Sequence, residues 1–269
     1  VMSLVFMVFM IVPVLAPGAG QLIMLFSEWR AIFLLMALMA LIITAWTWLR
    51  LPETLKPEYR RPFTARSILD GFRIVVTNRL SVCYSIAVTG ILGALFGFIN
   101  SAQQIYVGLY DVGAMFPVYF AVVAGLMAVS SFLNSRLVGR FGMRRLAHGA
   151  LLGFLAATGL AFALSLIGPL PFWLFLLLFA LAMVQFSWIM SNFNALALEE
   201  LGHVAGTASS TQGFVQTLGG GLAGAAIGQA FDGTVTPLSG GYFFAALLAL
   251  AMVLIAERGR LFRTLNPPV

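Results

Sequence analysis

This sequence is poor in charge, in cysteine and in histidine, and each shortage excludes a class of protein. Only 9% of its 269 residues are charged, as 15 Lys/Arg and 9 Asp/Glu. None of them falls inside a long apolar stretch; all lie in the gaps between such stretches or on their rims. A soluble domain carries roughly 25% charged and 45–50% apolar residues, whereas 61% of this chain is hydrophobic and its mean hydropathy is +1.01. A soluble fold of this size could not hide that much apolar surface, so the solvent is a bilayer and the spanning elements are helices. The single Cys83 excludes an intrachain disulfide. His148 and His203 are isolated in sequence and no HExxH occurs, so no metal and no cofactor is expected. An intramembrane enzyme needs a nucleophile with a base, or metal ligands, at depth. No acidic, Lys or His residue lies well inside an apolar run, which argues against that class. The pI near 10.1 raises nucleic-acid binding, but the basic residues are scattered as loop anchors rather than gathered in one patch, so no nucleic-acid partner is expected.

What is there is a series of long apolar runs. A hydrocarbon core of ~30 Å needs about 20 apolar residues per helix. On that length, spans are expected at 2–26, 31–50, 80–106, 115–135, 146–168, 172–197, 205–230 and 239–256. The expected fold is an all-α membrane protein with eight transmembrane helices, in contact with membrane lipid. Under this layout one face collects 14 of the 15 Lys/Arg and the other holds only Arg30. By the positive-inside rule the basic face, and with it both chain ends, is expected to be cytoplasmic. Trp29, Trp173, Tyr106, Tyr110 and Tyr242 mark the outer interface, and Trp46 and Trp48 the inner one. In the long basic gap 51–79, Ile68, Leu69, Phe72, Val75 and Val76 recur at helical spacing beside Arg66, Asp70, Arg73 and Arg79. That pattern predicts a short amphipathic helix on the inner leaflet. Three parts result: 1–50, a linker at 51–79, and 80–269 with six spans. Two plus six is an unusual count, and Val1 already lies inside an apolar run, so four spans preceding it are expected.

Polar groups at lipid depth cost free energy unless partnered or wet, so their positions are informative. Asn100, Gln103 and Gln104 share one helix face, as do Gln185, Trp188 and Asn192, and Ser209, Gln212 and Gln216. These three stripes either converge on one amide-lined substrate cavity, with Trp188 as an aromatic wall, or glue helices together. The repeats Gly220, Gly224, Gly228 and Ala121, Gly125 read as packing seams. Arg136, Arg140, Arg144 and Arg145 either anchor topology or form an inward-side gate that pairs with acidic groups or helix ends. Pro13, Pro17, Gly18 and Gly20 kink the first span and allow close backbone approach.

Ala16-Pro17-Gly18-Ala19-Gly20-Gln21 resembles the Gly-Pro-x-x-Gly-Gly antiporter motif in the fifth helix of the major facilitator superfamily's drug:proton antiporters. It departs from the motif at Ala16 and Gln21. Trp29-Arg30-Ala31-Ile32-Phe33 resembles the turn into that family's sixth helix, and Leu51-Pro52-Glu53-Thr54-Leu55 the motif that ends it. Asn134 to Arg145 resembles the second copy of the superfamily's loop motif, between helices eight and nine. His203 to Ser210 resembles the start of helix eleven in the bicyclomycin-resistance (Bcr/CflA) subfamily.

In this order the motifs imply helices five to twelve of a truncated twelve-helix major facilitator fold. The gap 51–79 would be the inter-domain linker and 80–269 the C-terminal half, two inverted three-helix repeats. The resemblance implies alternating-access efflux of a small amphipathic drug from the bacterial inner membrane, coupled to protons in the full-length protein. The coupling acid would lie in the missing early helices. A facilitator of a sugar or other metabolite, or a non-transporting fragment assembling with a four-helix N-terminal segment, are the alternatives.

Overall fold

The computed structural model describes residue 20, residues 22–52 and residues 64–262. Pro13, Pro17 and Gly18, most of the expected first span, and 53–63 of the linker lie outside the described residues, as does the side chain of Ile68. Gly20 is described, and nothing stands within 4 Å of where its Cβ would be.

All regular structure among the described residues is helical. Helix α1 (Arg30–Arg50) runs to Leu51, where Pro52 lacks the N–H to continue it. Apolar all round, α1 buries no residue among the described residues, so its surface is left to lipid or to parts of the protein outside them. Helix α2 (Ala65–Thr77) is the amphipathic helix expected between residues 51 and 79. Helix α3 (Arg79–Gln103) starts at Asn78, whose Oδ1 accepts the Ser81 N–H at 2.8 Å, and ends in a wider π turn over Gln104–Leu109. Then follow α4 (Phe116–Phe141), α5 (Met143–Ile167), α6 (Phe172–Leu198), α7 (Ala205–Gln229) and α8 (Thr236–Ala256).

Helices α1, α3, α4, α5, α6 and α8 are long and apolar enough to cross a membrane. Helix α7 has 25 residues, about 37 Å at 1.5 Å per residue. It is long enough to cross, but glycine, threonine and glutamine dilute its apolarity. Helix α4 continues past the expected end at 135 to Phe141, so Arg136 and Arg140 sit on helix rather than in a loop. What stops it is Gly142, with φ +83°, a conformation an L side chain rarely adopts.

Helix α3 is central, packed against α7, α8 and α6; α6 also holds α4 and α5, and α5 meets α8. The α3–α7 contact is a small-residue seam. A Cβ on Gly224 would stand 2.4 Å from Phe96 Cβ, and one on Gly228 2.7 Å from Asn100 Cβ. The other expected seam behaves differently: Ala121 is exposed, and nothing approaches a Cβ at Gly125 among the described residues. Aromatic side chains fill the core, with Tyr84, Tyr106, Phe154, Phe186 and Phe193 fully buried. Helix α2 docks through Val75 and Ile74 against Leu201, Val204 and Ala208, leaving Leu69, Phe72 and Val76 exposed. Asn78 fixes the same junction by donating to Glu200 Oε2 at 2.8 Å.

Candidate functional site

The amide stripes are distributed over several helix contacts. Asn192 Nδ2 donates to Asn134 Oδ1 at 2.9 Å, and Trp188 Nε1 to the Ser130 carbonyl at 2.8 Å, so both reach from α6 to α4. Gln216 Nε2 donates to Asn194 Oδ1 at 2.9 Å, joining α7 to α6. Gln212 Nε2 lies 3.5 Å from Ser81 Oγ on α3. Gln103 and Gln104 are exposed where α3 widens into its π turn, and Asn100 packs beside Gly228. Gln185 lies across Gly153 of α5, with Nε2 donating to the Leu181 carbonyl at 3.2 Å. Gln185 and Trp188 line one crevice between α5 and α6. Asn192, Gln212 and Gln216 each meet a polar group on a neighbouring helix, which a face shared along one helix does not reveal.

A different side of α6 closes an aromatic pocket with α3 and α4. Its walls include Phe98, Phe120, Met127, Phe179 and Met183, around a cavity of about 50 Å³. Tyr106 lines it from the π turn of α3. The Tyr106 hydroxyl is fully buried and has no hydrogen-bond partner among the described residues. Such an orphan group costs roughly 1–3 kcal/mol, so it is a conspicuous place for a ligand's polar atom. Instead of facing the outer interface, as the aromatic pattern predicts, Tyr106 is buried among Phe98, Phe116, Phe172 and Phe175.

A third constellation lies at the basic end of the bundle. Arg144, on the first turn of α5, is buried and donates through Nε to Glu257 Oε1 at 2.8 Å. Its terminal nitrogens reach Glu199 at 2.6 and 3.3 Å. Glu199 caps the C-terminus of α6 and Glu257 that of α8. A carboxylate is unfavourable at a helix C-terminus and a cation at an N-terminus, so the three charges compensate each other and the helix dipoles. Tyr84 of α3 donates to Glu257 Oε1 at 2.8 Å and lies 3.1 Å from His148 Nε2. The Phe262 N–H donates to His148 Nδ1 at 3.1 Å. With Nδ1 accepting, Nε2 carries the ring proton and points it at Tyr84.

One ion-pair network therefore ties α3, α5, α6 and α8 to the turn that follows α8. Of the four arginines singled out from the sequence, Arg144 alone is in it. Arg136 and Arg140 stack on Phe132 and Phe141, 5.1 and 5.5 Å from the ring centres, and Arg145 is exposed. The sequence gives no expectation for Tyr84 or Glu257, and shows His148 only as an isolated histidine. The available signals were the i, i+4 spacing of Arg144 and His148 on one helix face, and acidic residues just beyond two long apolar runs.

The comparisons with known proteins agree on a family. The sequence profile described as Major Facilitator Superfamily matches residues 1–224. A bicyclomycin resistance protein homolog of Haemophilus influenzae is 32% identical over 240 residues, covering 88% of this chain and 60% of that protein. An uncharacterized MFS-type transporter YdgK of Bacillus subtilis is 26% identical over 253 residues, covering 91% and 61%. A multidrug resistance protein MdtL of Salmonella heidelberg is 30% identical over 223 residues, covering 82% and 55%. The chain thus spans 60%, 61% and 55% of the length of these relatives.

Proposed function

The chain belongs to the major facilitator superfamily, and on that premise we propose that the whole protein exports small amphipathic drugs by alternating access, coupled to protons. It is a multi-pass protein of a bacterial inner membrane, and in our reading the basic end faces the cytoplasm. Relatives named for bicyclomycin and multidrug resistance support the drug class.

The observation that carries the substrate reading is the aromatic pocket with its single orphan hydroxyl at Tyr106. Phe98, Phe120 and Phe179 offer ring faces and edges to an apolar body, and Tyr106 offers one donor and one acceptor. A sugar would need many directed hydrogen bonds, which this lining lacks. At about 50 Å³ the pocket takes one small apolar group of a ligand and not a whole molecule, which suits the apolar part of an amphipathic drug. The ion-pair network at Arg144 links helices of the same six-helix group. We read it as a brace that lets these helices move as one body, in the rigid-body rocking that alternating access requires, rather than as a gate that opens. The amide contacts of Asn192, Gln212 and Gln216 reinforce that body.

Efflux of an amphipathic fluorescent drug, measured in drug-sensitive bacteria expressing the whole protein, tests this. Tyr106→Phe is expected to raise the half-saturating concentration of a hydrogen-bonding substrate about five-fold, the worth of roughly 1 kcal/mol, and Phe179→Ala is expected to lower efflux of all substrates. Unchanged efflux in both variants would remove the pocket from the transport path. Sugar uptake without drug efflux would establish the metabolite-carrier reading instead. Failure of all transport until a four-helix partner is supplied would mark the chain as a fragment that works only in assembly.

A further inference from the structure

We infer that the crevice between α5 and α6 at the basic end is a binding site for one anionic phospholipid, its phosphate on Arg145 and an acyl chain running along Gly149. The crevice has a volume of about 290 Å³ and is lined by Arg145, Leu146, Gly149, Val184, Gln185 and Trp188, with Ala150 behind. It lies on a different face of α6 from the aromatic pocket, which uses Phe179 and Met183. Arg145 and Gly149 on its rim are exposed and the rest of its lining is half-buried or buried, while Leu152, Leu177 and Leu181 on the same two helices are exposed.

Two features select the occupant. The first is charge. Arg145 sits exposed at one end of the crevice and makes no hydrogen bond or ion pair among the described residues. The nearby carboxylates of Glu199 and Glu257 are both engaged by Arg144. Arg136 and Arg140 stand on aromatic rings on the neighbouring helix and add to the positive field without neutralising it. A guanidinium at the interface with no protein anion is matched by a phosphate, and the phosphates at that depth belong to lipid headgroups.

The second feature is shape. Nothing stands within 4 Å of a Cβ at Gly149, so the wall of α5 is open there. Further along, the Gln185 side chain fills the space a Cβ would take at Gly153 and closes the channel. Arg145 to Gly153 spans eight residues, about 12 Å of helix, which suits a headgroup and the upper part of one acyl chain. The Trp188 indole N–H is already committed to the Ser130 carbonyl, leaving its ring face as an apolar wall. The site rests on the membrane location alone and is independent of what the protein transports.

Trp188 provides the readout. In the full chain with Trp29, Trp46, Trp48 and Trp173 replaced by Phe, its fluorescence is measured in phosphatidylcholine vesicles containing brominated phosphatidylglycerol or brominated phosphatidylcholine. The brominated anionic lipid is expected to quench Trp188 with about five-fold higher relative affinity, the effect of one basic residue near the surface. Arg145→Gln should abolish that preference, and Gly149→Leu should reduce quenching by both lipids, while Arg140→Gln should change neither. Excess inorganic phosphate should not displace the lipid. Equal quenching by the two lipids in the parent protein, or a preference that survives Arg145→Gln, overturns the site. Equal loss in Arg140→Gln also overturns it, since the effect would then be diffuse surface charge. Far-UV circular dichroism of each variant establishes that the helices are intact.

Discussion

Replacing Arg144 by Met should cost the bundle about 3–5 kcal/mol at neutral pH, the loss expected when one partner of a buried ion pair is removed. The magnitude follows from which carboxylate is left behind. Glu257 has a side chain only 4% exposed, and without Arg144 it keeps just the Tyr84 hydroxyl at 2.8 Å. That leaves a charge in the protein with no cation and little water. Glu199 is 24% exposed and can rehydrate, so its share is at most about 1 kcal/mol. Adding Glu257→Gln to Arg144→Met removes the stranded charge, and the double variant should recover most of the loss. The coupling between the two positions should therefore exceed about 2 kcal/mol, within the range found for contacting residues. The assay is unfolding of the purified chain in mixed micelles on titration with dodecyl sulfate, followed by circular dichroism and run as a double-mutant cycle. An Arg144→Met variant within about 1 kcal/mol of the parent would refute the reasoning, because a charge truly stranded in that position cannot be so cheap. So would a double variant whose loss equals the sum of the two single losses.

Other outcomes follow from the same geometry. Gly224→Ala places a Cβ 2.4 Å from Phe96 Cβ and 2.9 Å from the Gly97 backbone nitrogen, so it should destabilise by about 1–3 kcal/mol in the same titration. Gly221→Ala, with nothing within 4 Å, should be neutral or slightly stabilising through helix propensity. Tyr106→Phe should leave stability unchanged or raise it, since the hydroxyl it removes has no partner to lose; a clear destabilisation would mean the hydroxyl is bonded. In the loop before α8, the Thr234 hydroxyl donates to Asp232 Oδ1 at 2.7 Å and holds that carboxyl below its usual value of 3.8. A carboxylate with a lowered folded-state pKa contributes stability above its unfolded value and loses it as the pH falls through the folded value. Amide exchange at Thr234 should therefore be unaffected by Asp232→Ala below that range, and accelerated by it at neutral pH.

The helices were legible because lipid imposes a length on every apolar run, and the bounds of α5, α6 and α8 lie within a few residues of expectation. The stop of α4 was not, because the helix outlasts its apolar stretch and ends at a glycine whose φ no hydropathy pattern encodes. Gly220 and Gly224 read correctly as a seam, since a stripe of missing side chains invites a neighbouring backbone. Ala121 and Gly125 carry the same signature and face nothing among the described residues, so the stripe states an opportunity and not a partner. For a related reason the amide stripes do not by themselves say which partner each side chain meets. Asn192 finds Asn134 and Gln216 finds Asn194 across helix contacts whose pairing is tertiary. The sequence allowed the arginine cluster to pair with acidic groups, but not which arginine or which carboxylates, because these charges sit at helix ends far apart in the chain. Arg144 and Glu257 are 113 residues apart, and only the fold shows that they share one buried site. Tyr106 was misplaced because an interfacial aromatic and a core aromatic near a span's end have the same sequence context.

Everted membrane vesicles from cells expressing the whole protein test the central claim most directly. With a proton gradient imposed across the membrane, an amphipathic drug should accumulate inside the vesicles. Collapsing the gradient with an ionophore should abolish the accumulation, and Tyr106→Phe should weaken it. Vesicles that accumulate no drug under the gradient, or that accumulate it equally after the gradient is collapsed, would contradict the account.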